Sequence, residues 1–556
     1  MINLLTGRYT KNLGKRRFLM EKKKLIIIII AAIFAVIALT AGIISIASGD
    51  EDNDSGTRAE SELVANNMAT GVTVIDKDTE YQTVNGFGAS SACWAQKVGG
   101  WNNAEDIISL LYSEENGIGL NIYRYNLGAG SSDDECITDE LFRTESFMIS
   151  DGTLDFSRDK NAQSCLSIAK KLAGEELRVA LFANSPPAYL TLNGKAYSSP
   201  ASDDTAPSVS NLSKENYEAY ADYLYACAGH FTDKGFRITE VSPINEPQYS
   251  WRASLNEDNS ITTDREGCHF EPEEARELLK VTVKKFRNSD LHKKGVRVSM
   301  FESGEAEGTD SVTGSYFDVL LSSEKEFRKE NKLLRDYFDT VSLHSYWSST
   351  EKKQQTALMM TELFPGYSLA CTEYSQRTND GNNGVLEYIV NEGGETKGLG
   401  IEYGLAMADI IMTDLAVLNA VEWNWWLGCS FSNEPDGLIY LNGETPEEIT
   451  VSKRLWCLGN FSKFIEEGAV RVASSSGVDE LPMVSFVNTD GSTVAVYLNK
   501  TERYIKTDIS AFCEENYAAY ITNEEKNLEK ADIIKDGILS IPAQSLVSVV
   551  FTDKEG

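Results

Sequence analysis

Eight short apolar runs, separated in most places by stretches of helical periodicity, restrict the folds open to this chain. They begin at Gly86 (GFGASSA), Leu120 (LNIYRYNL), Leu177 (LRVALFANS), Phe236 (FRITEVSPINE), Val296 (VRVSMFES), Thr340 (TVSLHSYW), Ser368 (SLACTEY) and Ala420 (AVEWNWW). Each run has the length and apolar content of a buried strand, and six of the eight end in a polar or aromatic residue. The stretches from Ser213 (SKENYEAYADYLYACAGHF) and Glu271 (EPEEARELLKVTVKKF) repeat their apolar positions as a helix does, and the second opens on acidic residues, which a helix N-terminus favours. Eight strand–helix alternations predict an α/β fold, a (β/α)8 TIM barrel over residues 86–450.

The flanks read differently. GVTVIDKDTEYQTV from Gly71 alternates like a strand, and from about Leu455 the chain gives RVAS, MVSFVN, TVAVYLNK, YAAYIT and LVSVVFT, broken by turn residues. Residues 71–85 and 451–556 are therefore expected to form one side β-sandwich domain built from both chain ends. Ahead of them, 25–47 is an uncharged apolar stretch behind a basic segment, 1–24, and before an acidic linker, 48–70. Its 23 residues are long enough to cross a bilayer, which gives the expectation of a transmembrane signal-anchor with 1–24 in the cytoplasm. If 25–47 is instead a cleaved signal peptide, the rest is secreted; either way residues 50 onward lie outside the cell. Membrane contact is expected through this segment alone.

Charge and motif content narrow the chemistry. The chain of 556 residues has 52 basic and 84 acidic residues, a net charge of −32, so a nucleic-acid partner would work against its field and a neutral ligand would not. Nine scattered cysteines lack the clustered spacing of a zinc site or a disulfide framework, and most read as buried thiols. HExxH, GxSxG and GxxxxGK[ST] are all absent. What remains is carboxylate chemistry, with no metal and no cofactor expected, in a chain that reads as a monomer.

Barrel active sites sit at the C-terminal ends of the strands. On the strand boundaries above, Glu246 in SPINEPQYSW ends the fourth strand and Glu373 in CTEY ends the seventh, across the mouth from one another. Two facing carboxylates without a metal suit glycoside hydrolysis, in which one attacks the anomeric carbon and the other protonates the leaving oxygen, at ~5–5.5 Å separation in retaining enzymes. Arg124, ending the second strand, is the nearest candidate to hold the nucleophile ionised, and Glu302, ending the fifth, reads as a hydrogen-bond partner to site residues.

The motifs GFGASSACWA, YRYNLGAGS, FANSPPAYLTLNG, SPINEPQYSW, REGCHFEPEEA, LHSYW, CTEY and EWNWW, in this order, resemble glycoside hydrolase family 30, most of all its endo-β-1,6-galactanase-like branch, over about Thr73 to Thr552. The resemblance implies Glu246 as acid/base, Glu373 as nucleophile, Asn245 as the residue that bonds the sugar 2-hydroxyl, and Arg124 beside the nucleophile. It places His344 and Tyr346 in the site lining, and Asn184, Trp94, Trp251, Trp347, Trp423 and Trp425 as sugar contacts; of the adjacent pair Trp425 and Trp426, one should turn into the core. The implied activity is retaining hydrolysis of a β-linked glycan or polysaccharide, first of all endo-β-1,6-galactanase action on arabinogalactan-type side chains. The family's glucuronoxylan-cleaving branch uses an arginine after strand eight, and this chain has no Arg or Lys between Lys397 and Lys453. Xylanase, β-1,6-glucanase, exo-β-xylosidase or β-fucosidase and glucosylceramidase-like activities are the alternatives on the same scaffold. An inactive surface glycan-binding protein is the alternative outside enzymes; its mark would be loss of a carboxylate, and both are present.

Overall fold

A closed ring of eight parallel strands occupies the centre of the computed structural model, which describes residues 71–201, 206–306, 312–330, 332, 334–376, 397–442, 448–512 and 516–552. The strands are β1 (Gly86–Ser90), β2 (Ile122–Asn126), β3 (Arg178–Phe182), β4 (Arg237–Ser242), β5 (Arg297–Ser303), β6 (Thr340–His344), β7 (Ser368–Glu373) and β8 (Ala420–Trp425). Their order round the ring is their order in the chain, and β8 closes on β1. Each of the eight expected runs supplies one strand. The helices that follow them in turn are α1 (Ala104–Tyr112), α2 (Lys160–Ala173), α3 (Tyr217–Asp233), α4 (Pro272–Phe286), α5 (Val312–Lys329), α6 (Thr350–Leu363), α7 (Ile401–Thr413) and α8 (Lys453–Ser462). The acidic start of α4 is a capping box: Glu271 and Glu274 satisfy each other's backbone N–H groups, with Pro272 in the first turn.

Every residue of β1, β2, β6 and β8 is buried, as expected for strands covered on both faces. Alternation sorts β8 into an inward pair, Glu422 and Asn424, and an outward pair, Trp423 and Trp425. Asn424 reaches so close to β1 that a Cβ on Gly88 would stand 2.1 Å from its Oδ1, which is why glycine occupies that position.

The side domain is a sandwich. One sheet runs Val74–Thr83, Val470–Ser475, Met483–Val487, Thr493–Asn499, Ser545–Thr552, Asn516–Thr522, Glu529–Lys530; the other runs Gly71–Val72, Ile505–Asp508, Ile538–Ile541, Ile534–Lys535. The N-terminal stretch thus gives a strand to each sheet, crossing at buried Thr73, whose Oγ1 lies 2.9 Å from that of Thr507. Strand Thr493–Asn499 is buried throughout because Val494, Val496 and Leu498 join the barrel core while Ala495 and Tyr497 face the sandwich interior. Helix α8 ties the two bodies: Asn460 Nδ2 donates to Ser548 Oγ (2.9 Å) and Thr522 Oγ1 donates to Asn460 Oδ1 (2.6 Å). At the opposite end from the strand C-termini, Arg178 and Arg237 share Glu467, at 2.7 and 2.6 Å.

One expectation is corrected. Among the described residues no helix is long and apolar enough to cross a membrane, against the transmembrane signal-anchor; the segment 25–47 itself, like 1–24 and 48–70, lies outside those residues. The eight described cysteines are free thiols, seven of them buried.

Candidate active site

Two glutamates converge on one imidazole at the C-terminal mouth of the barrel. Glu373 is the last residue of β7, as expected. Glu246 is not the last residue of β4: the strand stops at Ser242, because Pro243 has no N–H for the ladder, and Glu246 follows in a turn at φ +43°. That turn is held by Glu246 N donating to the Glu302 carbonyl (2.8 Å) and by Trp251 Nε1 donating to the Glu246 carbonyl (2.9 Å). Glu302 (φ +53°), Trp251 (+49°) and Trp347 (+49°) also occupy the left-handed region, a conformation that costs non-glycine residues ~1–3 kcal/mol each and concentrates at functional sites.

His344, the last residue of β6, has Nδ1 at 3.1 Å from Glu246 Oε1 and 3.6 Å from Glu373 Oε1. Ligand atoms of Glu246, His344 and Glu373 all lie within 4.8 Å of one another. Three such atoms could ligate a cation, but the carboxylates are already matched by cationic side chains: Arg124 Nη1 sits 2.8 Å from Glu373 Oε2, and the imidazole faces both acids.

The charges around this pair are set by burial and by one another. Burial alone would lower the His344 pKa, but the Glu373 charge and the bonds to Glu246 and Glu302 raise it to about 10, so both ring nitrogens carry protons at neutral pH. Burial alone would raise the Glu302 carboxyl; Arg124, His344 and Thr372 hold it down to about 2. Thr372 Oγ1 donates to Glu302 Oε2, and the same oxygen is 3.3 Å from His344 Nε2 and 3.5 Å from Arg124 Nη2. Arg124 also donates to Asn245 Oδ1 (3.2 Å) and lies over the Phe182 ring at 3.7 Å. Tyr346, its phenol pushed well above the usual range by burial and by Glu373, donates to Glu373 Oε1 at 3.2 Å. Deeper in the barrel, burial and their mutual repulsion raise the carboxyls of Glu240 and Glu422, against the lowering pull of Arg178.

The aromatic residues divide in two. Trp251 and Trp347 are partly exposed and flank Tyr249, at centroid distances of 6.0 and 6.2 Å, making one wall beside Glu246. Asn184 is half-buried at the end of β3 and donates to Asn126 Oδ1 at 3.3 Å. Trp94, Trp423 and Trp425, expected as sugar contacts, are corrected to core residues. They are buried, and their indole N–H groups donate inside the protein, to the Ser90 carbonyl, Asp414 Oδ2 and the Asp436 carbonyl. For Trp423 and Trp425 the reason is strand parity, since the inward places on β8 belong to Glu422 and Asn424. Sequence reasoning missed Tyr249 and Phe182. Tyr249 sits inside the quoted SPINEPQYSW stretch, but nothing in its spacing separates it from a loop residue.

The comparisons with known proteins agree with this geometry. The family model described as O-Glycosyl hydrolase family 30 matches residues 70–440, and the model described as Glycosyl hydrolase family 30 beta sandwich domain matches 468–549. The chain is similar to an endo-beta-1,6-galactanase from Hypocrea rufa, 24% identical over 420 residues that cover 71% of this chain and 74% of that protein. Among solved structures it is similar to a conserved exported protein from Bacteroides fragilis, with TM-score 0.71 and 24% identity, covering 86% of this chain and all of that one. It is also similar to the catalytic domain of GH30 xylanase C from Talaromyces cellulolyticus, with TM-score 0.64 and 20% identity over 86% of this chain and all of that one.

Proposed function

The chain belongs to glycosyl hydrolase family 30, and from that premise we propose that this O-glycosyl hydrolase cleaves β-1,6-galactan with retention of configuration, Glu373 attacking and Glu246 serving as acid and then base. The observation that carries the mechanism is the meeting of the two carboxylates at His344, with ligand oxygens within 4.8 Å, close enough for one carboxylate to reach the anomeric carbon while the other reaches the leaving oxygen, and too close to leave the gap for water that inversion needs. Glu373 is surrounded by donors, Arg124 on one oxygen and Tyr346 on the other, an environment that suits an anionic nucleophile. Glu246 has a carboxyl oxygen on His344 and is the more exposed of the two, open to the leaving group and afterwards to water.

In the first step Glu373 forms the glycosyl ester as the Glu246 proton passes to the departing oxygen. In the second, Glu246 takes a proton from the incoming water and the ester is cleaved. Asn245 gives its carbonyl to Arg124, which leaves its amide N–H groups for the sugar 2-hydroxyl. Trp251, Tyr249 and Trp347 offer apolar faces to the leaving-group sugars.

The galactan reading is supported by the Hypocrea rufa relative's activity and by the lack of any Arg or Lys between Lys397 and Lys453, where a glucuronate side group would need a cation. The test is product analysis of residues 50–556 on β-1,6-galactan, glucuronoxylan and β-1,6-glucan, with the anomeric form of the first product read by NMR. Release of β-configured galacto-oligosaccharides is expected. Turnover of another polymer in the panel and not of galactan overturns the substrate, and an inverted first product overturns the mechanism.

A further inference from the structure

We propose a second sugar-binding position on the rim of the barrel, between the loops after β2 and β3, which takes a neutral sugar residue of the same polysaccharide some distance from the bond that is cut. It rests on the reading of the substrate as a polymer. The position is a cavity of about 200 Å³, lined by Gly130, Asp133, Asp134, Ala188, Gly194 and Lys195. That is room for about one sugar unit, below the ~300 Å³ at which pockets for larger ligands begin.

Continuity ties it to the catalytic centre. The two loops that wall the cavity leave the barrel at Asn126 and Asn184, whose side chains bond at 3.3 Å, and Gly130 and Ala188 stand four residues further along each loop. A glycan held at the centre can extend over these same two loops.

The cavity is built rather than incidental. Ala188 N donates to the Ala129 carbonyl (2.8 Å), joining the loops at its back. Buried Glu266, from the loop after β4, accepts from Ala129 N (3.0 Å), Ser131 Oγ (2.7 Å) and Thr144 Oγ1 (2.7 Å). Asp134 is engaged by Lys195 Nζ at 2.8 Å and by the Tyr197 hydroxyl at 3.1 Å, so these charges are matched inside the wall.

The chemistry left over is that of a polyol site. Exposed Asp133 has no side-chain hydrogen bond or ion pair among the described residues and can accept from two neighbouring hydroxyls. A Cβ built on Gly194 would meet nothing within 4 Å, so the wall is open there. Beside the cavity in the chain, Tyr189 and Leu192 are 52% and 64% exposed, and Tyr189 packs over Gly152, where a Cβ would stand 2.7 Å from the ring. Tyr189 directly follows Ala188 of the lining in the chain, and an aromatic face and a carboxylate are the group types that take the apolar face and the hydroxyls of a pyranose. Asp133 would repel a uronate.

Tyr189→Ala and Asp133→Ala in the full chain test this. Each is compared with the parent on the polymer that the enzyme cleaves best and on an aryl β-glycoside that fills only the catalytic centre. Binding remote from the reaction stabilises substrate and transition state alike. KM for the polymer should therefore rise roughly tenfold with kcat within about twofold, and the kinetics on the aryl glycoside should not move. Equal losses on both substrates, or no change on either, overturn the proposal. Because the ratio is read on whichever polymer is cleaved, failure of the galactan assignment leaves this test intact and separately readable.

Discussion

Replacing His344 by glutamine tests the electrostatic core of the site through its pH dependence. The imidazole is buried and held at about 10, against an ordinary value of 6.5. That difference of about 3.5, at ~1.4 kcal/mol per unit, corresponds to about 5 kcal/mol of stabilisation of the charged form. The sign follows from the direction of the shift. A group raised on folding contributes fully below its unfolded pKa, here 6.5, and its contribution is lost as pH rises through about 10. Glutamine keeps some of the hydrogen-bonding capacity but cannot titrate. Unfolding temperatures of parent and His344→Gln should therefore be measured from pH 5.5 to 10.5. A folded body of this size has an unfolding entropy of ~1 kcal/mol per K, so the gap below pH 6.5 should be about 5 °C and should close progressively toward pH 10. Taking the difference between the two proteins cancels the tyrosines and lysines that titrate in the same range. Curves that run parallel from pH 6 to 10 would mean an uncharged imidazole and would refute the reasoning.

Glu373→Gln and Glu246→Gln should each lower turnover by ~10³-fold or more while leaving the unfolding temperature within a few degrees; retention of parental kcat by either variant removes that residue from the mechanism. The two classes of tryptophan should separate cleanly. Trp425→Leu should cost ~2–4 kcal/mol in a denaturant titration, because it empties part of a buried site and removes the indole bond to the Asp436 carbonyl, whereas Trp347→Ala should raise KM with a much smaller loss of stability.

What could be read from the sequence was whatever depends on period and order. The eight strands were legible because burial on both faces makes each a short continuous apolar run, and Glu373 was placed because it closes such a run. Glu246 was assigned to the right face for an incomplete reason. FRITEVSPINE looks like one strand through to the glutamate, yet the ladder ends before Pro243 and the acid reaches the mouth in a left-handed turn held by the Trp251 indole five residues on and by the Glu302 carbonyl from β5. Composition misled at Trp94, Trp423 and Trp425, since an indole looks the same in a sequence whether it faces sugar or helix. Parity from Asn424 would have turned Trp423 and Trp425 outward, but no comparable count applies to Trp94, which lies just after β1 and outside its alternation.

The arrangement also explains why so many ionisable groups are buried in one place. Ion networks in an apolar interior cost about as much in lost hydration as they return in attraction, so stability alone would favour an apolar filling. Arg124 and His344 bring two positive charges, and Glu246, Glu302 and Glu373 bring three carboxyl groups. Glu302 is fixed as an anion by its three donors and Glu373 by Arg124 and Tyr346 in the proposed mechanism, so the cluster reaches neutrality when it holds one further proton. That proton is the one the reaction must deliver to the leaving group and recover from water. Its departure leaves one negative charge that the glycosyl ester, by neutralising Glu373, removes in the same step. The net charge of these five groups is thus the same before and after bond cleavage.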